Sequence, residues 1–152
     1  MTTATNKEAL DTVNNLLETC RDGEHGFDLA SKSIDDPTLR SELLQYSLQR
    51  QEFAADLKRA LADLGEEVSD SGSVAGALHR GWINIKSAIS SNDRHAVLAE
   101  CERGEDSAVA AYREATMQNL PPSLAGLVMT QYQAVQRVHD RIKLLRDMSK
   151  TA

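Results

Sequence analysis

The chain of 152 residues carries 23 acidic and 17 basic side chains, a formal charge of -6, and only 4% aromatic residues. A net-negative surface of mixed sign argues against nucleic acid or an anionic membrane as a partner. The lack of alternating Val/Ile-rich runs argues against β structure, so the expectation is all-α.

One domain is expected over 1–152. After a short tail at 1–4, Thr5-Asn6-Lys7-Glu8 has capping-box spacing and predicts a first helix over about 5–34. Its apolar stripe runs Leu10, Val13, Leu16/Leu17, Cys20, Phe27, Ala30/Ser31 and Ile34, and crosses Gly23 and Gly26 without losing phase. Asp36 as N-cap and Pro37 as first helical residue open a second helix over 37–64, with Gly65 as its C-terminal cap. Its stripe is Leu39, Leu43, Tyr46/Ser47, Phe53/Ala54, Leu57, Leu61 and Leu64. A polar loop follows, and Ser73 is the expected cap of a shorter helix over 73–90 that carries Val74, Leu78, Trp82, Ile85 and Ile89 on one face. Ser90-Ser91-Asn92-Asp93 breaks it. A fourth helix spans about 94–118 with Val97/Leu98, Cys101, Ala108, Ala111/Tyr112 and Ala115 inward, and Pro121-Pro122 ends one helix and starts the next. The fifth, over 122–148, buries Leu124, Leu127/Val128, Gln131, Val135, Val138, Ile142 and Leu145. Short turns at Asp36-Pro37 and Pro121-Pro122 imply two antiparallel hairpins. The segment between them is long enough to travel back along the molecule, which gives a four-helix bundle with one long crossover. With neither a signal-like start nor an apolar run of membrane length, the protein is expected to be cytoplasmic, with free, buried thiols.

One motif occurs twice: Cys20-Arg21-Asp22-Gly23-Glu24 and Cys101-Glu102-Arg103-Gly104-Glu105. A helical glycine costs about 1 kcal/mol relative to alanine, so each marks a close approach, expected to be that of a facing helix. Helical phase also directs one ionisable residue of each long helix inward: Glu24, Arg50, Glu105 and His139. A buried charge must be paired or metal-bound, and these four can neutralise one another, with Tyr46, Tyr112 and Tyr132 near enough in phase to join them. Glu18, Glu52, Glu100 and Glu102 point elsewhere and read as solvated, and His25 and His95 read as exposed. Cys20 and Cys101 fall on opposite sides of the glutamate layer, about 12 Å apart along the axis at about 1.5 Å per residue, too far for a disulfide. Trp82 reads as the anchor of the crossover helix, or with His79 and Arg80 as the edge of a ligand pocket.

The sequence resembles the ferritin-like superfamily and, within it, a bacterial family of uncharacterised four-helix-bundle proteins. The resemblance is carried by the two Cys-x-x-Gly-Glu stretches and by Gly72-Ser73-Val74-Ala75-Gly76 through His79-Arg80-Gly81-Trp82. It implies that Glu24 and Glu105 match the two single glutamates of a di-iron ligand set. The two Glu-x-x-His positions hold Arg50-x-x-Phe53 and Gln136-x-x-His139 instead, so Arg50, Phe53 and Gln136 replace three of six ligands. The expected function is therefore a non-enzymatic, stress-related bundle protein with a degenerate di-iron site and no cofactor, acting as a homodimer or other homo-oligomer or through an unidentified protein partner. The alternative is a mononuclear metal-binding protein or oxidoreductase, with one iron or zinc held by Glu24, Glu105 and His139 and Arg50 as an ion-pair partner.

Overall fold

The structure is a computed structural model that describes residues 3–66 and 81–150. It is built from α-helices alone among those residues: α1 (Thr3–Ser33), α2 (Pro37–Asp63), α3 (Ile85–Ser90), α4 (Arg94–Thr116) and α5 (Pro122–Ser149). Helix α1 begins at Thr3, so Thr5 lies inside it and is not its cap.

The helix ends follow from local chemistry. The Asp36 side chain accepts from the Thr38 amide at 3.0 Å, and Asp93 does the same for His95 at 2.9 Å. Helix α2 closes in a Schellman turn: Gly65, at φ +82, donates to the Ala62 carbonyl and Glu66 to that of Leu61. Arg40 Nε reaches back to the carbonyls of Ser31 and Ile34 at 3.2 and 3.0 Å, which satisfies the open end of α1 and clamps the first hairpin.

The third helix is shorter than its apolar spacing suggests. Gly81 adopts φ +94, a left-handed conformation that interrupts a helix, and Trp82 sits in the turn before α3 rather than within it. The expected cap at Ser73, with Val74, Leu78, His79 and Arg80, lies outside the described residues.

Two apolar layers fix the helix directions. In one, Val13, Leu16 and Leu17 of α1 meet Leu57 and Leu61 of α2, Ala108 and Tyr112 of α4, and Leu124 and Val128 of α5. In the other, Phe27 and Ala30 meet Leu39 and Leu43, Val97 and Leu98, and Val138 and Ile142, with Trp82 and Ile85 added from the crossover. The start of α1 therefore lies beside the ends of α2 and α4 and the start of α5, so α1 and α5 run opposite to α2 and α4. Helix α2 ends at one end of the bundle and α4 begins at the other, so the connection between them covers the bundle's length. No helix among the described residues is long and apolar enough to cross a membrane.

Candidate functional site

Between the two apolar layers lies a buried ion pair. Arg50 on α2 donates from Nη1 and Nη2 to the two carboxylate oxygens of Glu105 on α4, both at 2.6 Å. The two side chains are 1% and 0% exposed. This is the fork-to-fork geometry in which guanidinium and carboxylate match best. Gly23 makes room for it: a Cβ there would fall 3.1 Å from Arg50 Nη1. The guanidinium also stands 5.5 Å from the centre of the Phe27 ring. Burial opposes the charge on Arg50, but Glu105 more than offsets this and holds its pKa above the ordinary value.

Beside the pair runs a directional hydrogen-bond chain. Gln131 Nε2 donates to the Phe53 carbonyl at 3.2 Å, Tyr112 donates to Gln131 Oε1 at 2.7 Å, and the Cys20 thiol, 3.2 Å from the Tyr112 oxygen, is left to donate to it. Burial pushes the Cys20 thiol up to about 11 and pushes Cys101 up further. Both cysteines are free and buried, and both are protonated thiols at neutral pH, unsuited to nucleophilic attack.

Two of the four expected inward residues are elsewhere. Glu24 lies on the flank of α1, partly exposed, and its carboxyl is raised by partial burial and then by Asp28. The interface position belongs to Gly23, and one step of about 100° turns the next side chain aside. The Glu24 backbone carbonyl instead accepts from Ser47 Oγ at 2.7 Å. His139 faces the α4 flank, where Nε2 lies 2.6 Å from Asp106 and Nδ1 lies 3.1 Å from Asp140. Val135, Val138 and Ile142 take the inward direction of α5.

Glu24, Glu105 and His139 are thus not brought together. Among the described residues no group of three or more His, Cys, Asp or Glu side chains is placed to hold a metal ion. Both Glu105 oxygens are already engaged by Arg50, so the donor set does not fit a metal centre.

Other expectations change as well. Glu100 and Glu102 are 3% and 8% exposed rather than solvated. Glu100 accepts from the Asn84 amide at 2.7 Å and from Arg103 at 2.8 Å, and Glu102 pairs with Arg146. His95 is partly buried against Ser149, and His25 is partly buried too. Of the three tyrosines, Tyr112 enters the central network; Tyr46 bonds Glu42 and Tyr132 accepts from Arg113. Gly104 makes room not for a facing helix but for Trp82, as does Gly26. The signal that could have found this was the presence of a glycine on each of α1 and α4 with a single tryptophan in the crossover between the hairpins.

Residues 8–118 match the family model described as a domain of unknown function, DUF2383. No curated protein matches the chain.

Proposed function

Since that match covers more than half of the sequence, the chain belongs to the DUF2383 family, and we propose that it is a non-enzymatic bundle protein of ferritin-like arrangement whose internal cation is an arginine. The observation that carries this reading is the Arg50–Glu105 pair: a fixed guanidinium occupies the middle of the bundle, where a metal would otherwise balance inward carboxylates. The order of helix directions and the long crossover support the ferritin-like arrangement. High thiol pKa values leave the central network without an activated nucleophile. Function then resides in contacts with copies of the chain or with another protein. Exposed apolar pairs one helical turn apart, Leu44/Leu48 on α2 and Leu144/Met148 on α5, favour self-association.

Metal content of the purified protein tests the reading. Less than about a tenth of an equivalent of any transition metal, unchanged after iron loading, is the expected result. About one equivalent of iron or zinc, lost on Glu24→Ala or His139→Ala, overturns it in favour of a mononuclear metal protein. Sedimentation over a range of concentrations tests the assembly. A dimer that dissociates in Leu44→Asp/Leu48→Asp or in Leu144→Asp/Met148→Asp supports self-association, and a monomer throughout excludes it.

A further inference from the structure

Trp82 is 1% exposed although it belongs to the crossover and precedes a helix of only six residues. Its indole lies in the seam between α1 and α4, in a slot left by two glycines. A Cβ on Gly26 would fall 2.2 Å from the ring and one on Gly104 would fall 2.1 Å from it. Phe27 meets the indole edge-on at 5.0 Å, and the same Phe27 ring lies 5.5 Å from the Arg50 guanidinium. One aromatic ring therefore separates the indole from the buried charge, and Gly104 immediately precedes Glu105 in the chain. The turn is pinned on both sides of the tryptophan. Gly81 is pressed against the α4 backbone, where a Cβ would come 2.5 Å from the Arg103 carbonyl oxygen, and the Asn84 amide donates to the buried Glu100 carboxylate at 2.7 Å.

We propose that Trp82 is a positioning residue for the ion pair: by filling the slot it keeps water away from Arg50 and Glu105, so that crossover docking and pair integrity form one conformational strap. The attraction between the two charges depends on a low local dielectric. Withdrawing the indole opens a ring-sized gap beside the Glu105 backbone and admits water to that environment. The strap can open without dismantling the bundle, because α3 packs on α1 and α4 and the long helices also pack on one another. The far apolar layer, around Leu16, Leu57 and Tyr112, does not include the tryptophan.

Amide hydrogen exchange on the full chain tests the proposal. Trp82→Ala is expected to speed exchange about tenfold or more over residues 22–31 and 97–105, with little change over 9–17 and 108–115. Millimolar indole added to this variant is expected to restore most of the lost protection. In an Arg50→Met/Glu105→Leu chain the same Trp82→Ala change gives a much smaller acceleration, because a gap with apolar walls stays dry. An equal acceleration in both halves overturns the proposal, as does an undiminished effect in the chain lacking the pair, since Trp82 would then only fill volume. Should Trp82→Ala fail to fold, Trp82→Phe supports the same comparison. Metal uptake by the natural chain would defeat the functional reading above and leave this exchange pattern unmoved, so the two fail separately.

Discussion

At the scale of single residues, the central charges carry the sharpest consequences. Arg50→Ala or Glu105→Ala leaves the opposite charge buried and unpaired, and each is expected to cost about 3–5 kcal/mol. The joint replacement Arg50→Met/Glu105→Leu keeps the volume and removes both charges, so it is expected to be far less damaging, from neutral to about 1–4 kcal/mol more stable. Urea unfolding of the three chains checks this, and a double variant as weak as either single one contradicts it. The glycines divide by what surrounds them. Gly104→Ala and Gly26→Ala drive a methyl group into the Trp82 indole and are expected to cost about 1–3 kcal/mol or more. Gly126, exposed within α5 and with nothing within 4 Å of a Cβ, gains about 0.4–1 kcal/mol on substitution by alanine. Arg50, Glu105, Gly26 and Gly104 could be named from the sequence, whereas Gly126 could not. Arg50 and Glu105 fall on the apolar stripes and are buried as their phase suggests. Glu24 and His139 share that phase but lie aside, because a stripe defines a sector of the helix and the neighbouring helices decide which part of it is covered.

At the scale of elements, the α4–α5 pair is joined by a titratable link. The two ring nitrogens of His139 face Asp106 on α4 and Asp140 on α5, and Gln136 also bonds Asp140. Partial burial acts to lower the His139 pKa, but hydrogen bonds to Asp140 and Asp106 outweigh it and the net shift is upward from 6.5. A group whose folded pKa is raised stabilises fully below its unfolded value and loses that contribution as pH rises through the folded value. Stability is therefore expected to fall from about pH 6.5 upward through this group, and His139→Gln flattens that part of the profile. Thermal melts at half-unit pH steps check it; an unchanged profile in His139→Gln removes the link from the account. The α1–α2 corner depends on its cap, and Asp36→Ala is expected to cost about 1 kcal/mol. The helix ends at Asp36-Pro37, Gly65, Asn92-Asp93 and Pro121-Pro122 were legible, since capping is local chemistry, whereas the start of α1 lies at Thr3 and not at the capping-box spacing of Thr5. The third helix was not legible: the spacing of Trp82, Ile85 and Ile89 suits a continuous helix, but the left-handed Gly81 and the turn over 82–84 delay its start to Ile85.

For the molecule as a whole, two features report how the core opens, one at the buried thiols and one at the docked crossover. Cys20 and Cys101 are both 0% exposed, and burial holds both thiols in the protonated form. A thiol reagent at pH 8 is expected to label neither in the native protein and both after denaturation, at a rate set by the opening equilibrium; fast native labelling of either would place it outside the core. Trp82, the single tryptophan, reports the second feature, since its fluorescence follows crossover docking separately from the helical signal. The amino-acid order alone established the all-α class, the two hairpins and the long crossover, because apolar periodicity and helix caps act within a few residues of where they are read. It also determined that charge enters the core, because Arg50 and Glu105 keep phase with leucines that must be buried. It took the packed helices to show that these two pair with each other, that the twinned glycines serve a guanidinium on one side and an indole on the other, and that Glu24 and His139 stand apart. The reason is that partner choice depends on how helices rotate about their axes and on what the crossover inserts between them, and those contacts join residues from 22 positions apart (Trp82 and Gly104) to 55 (Arg50 and Glu105) or more in the chain.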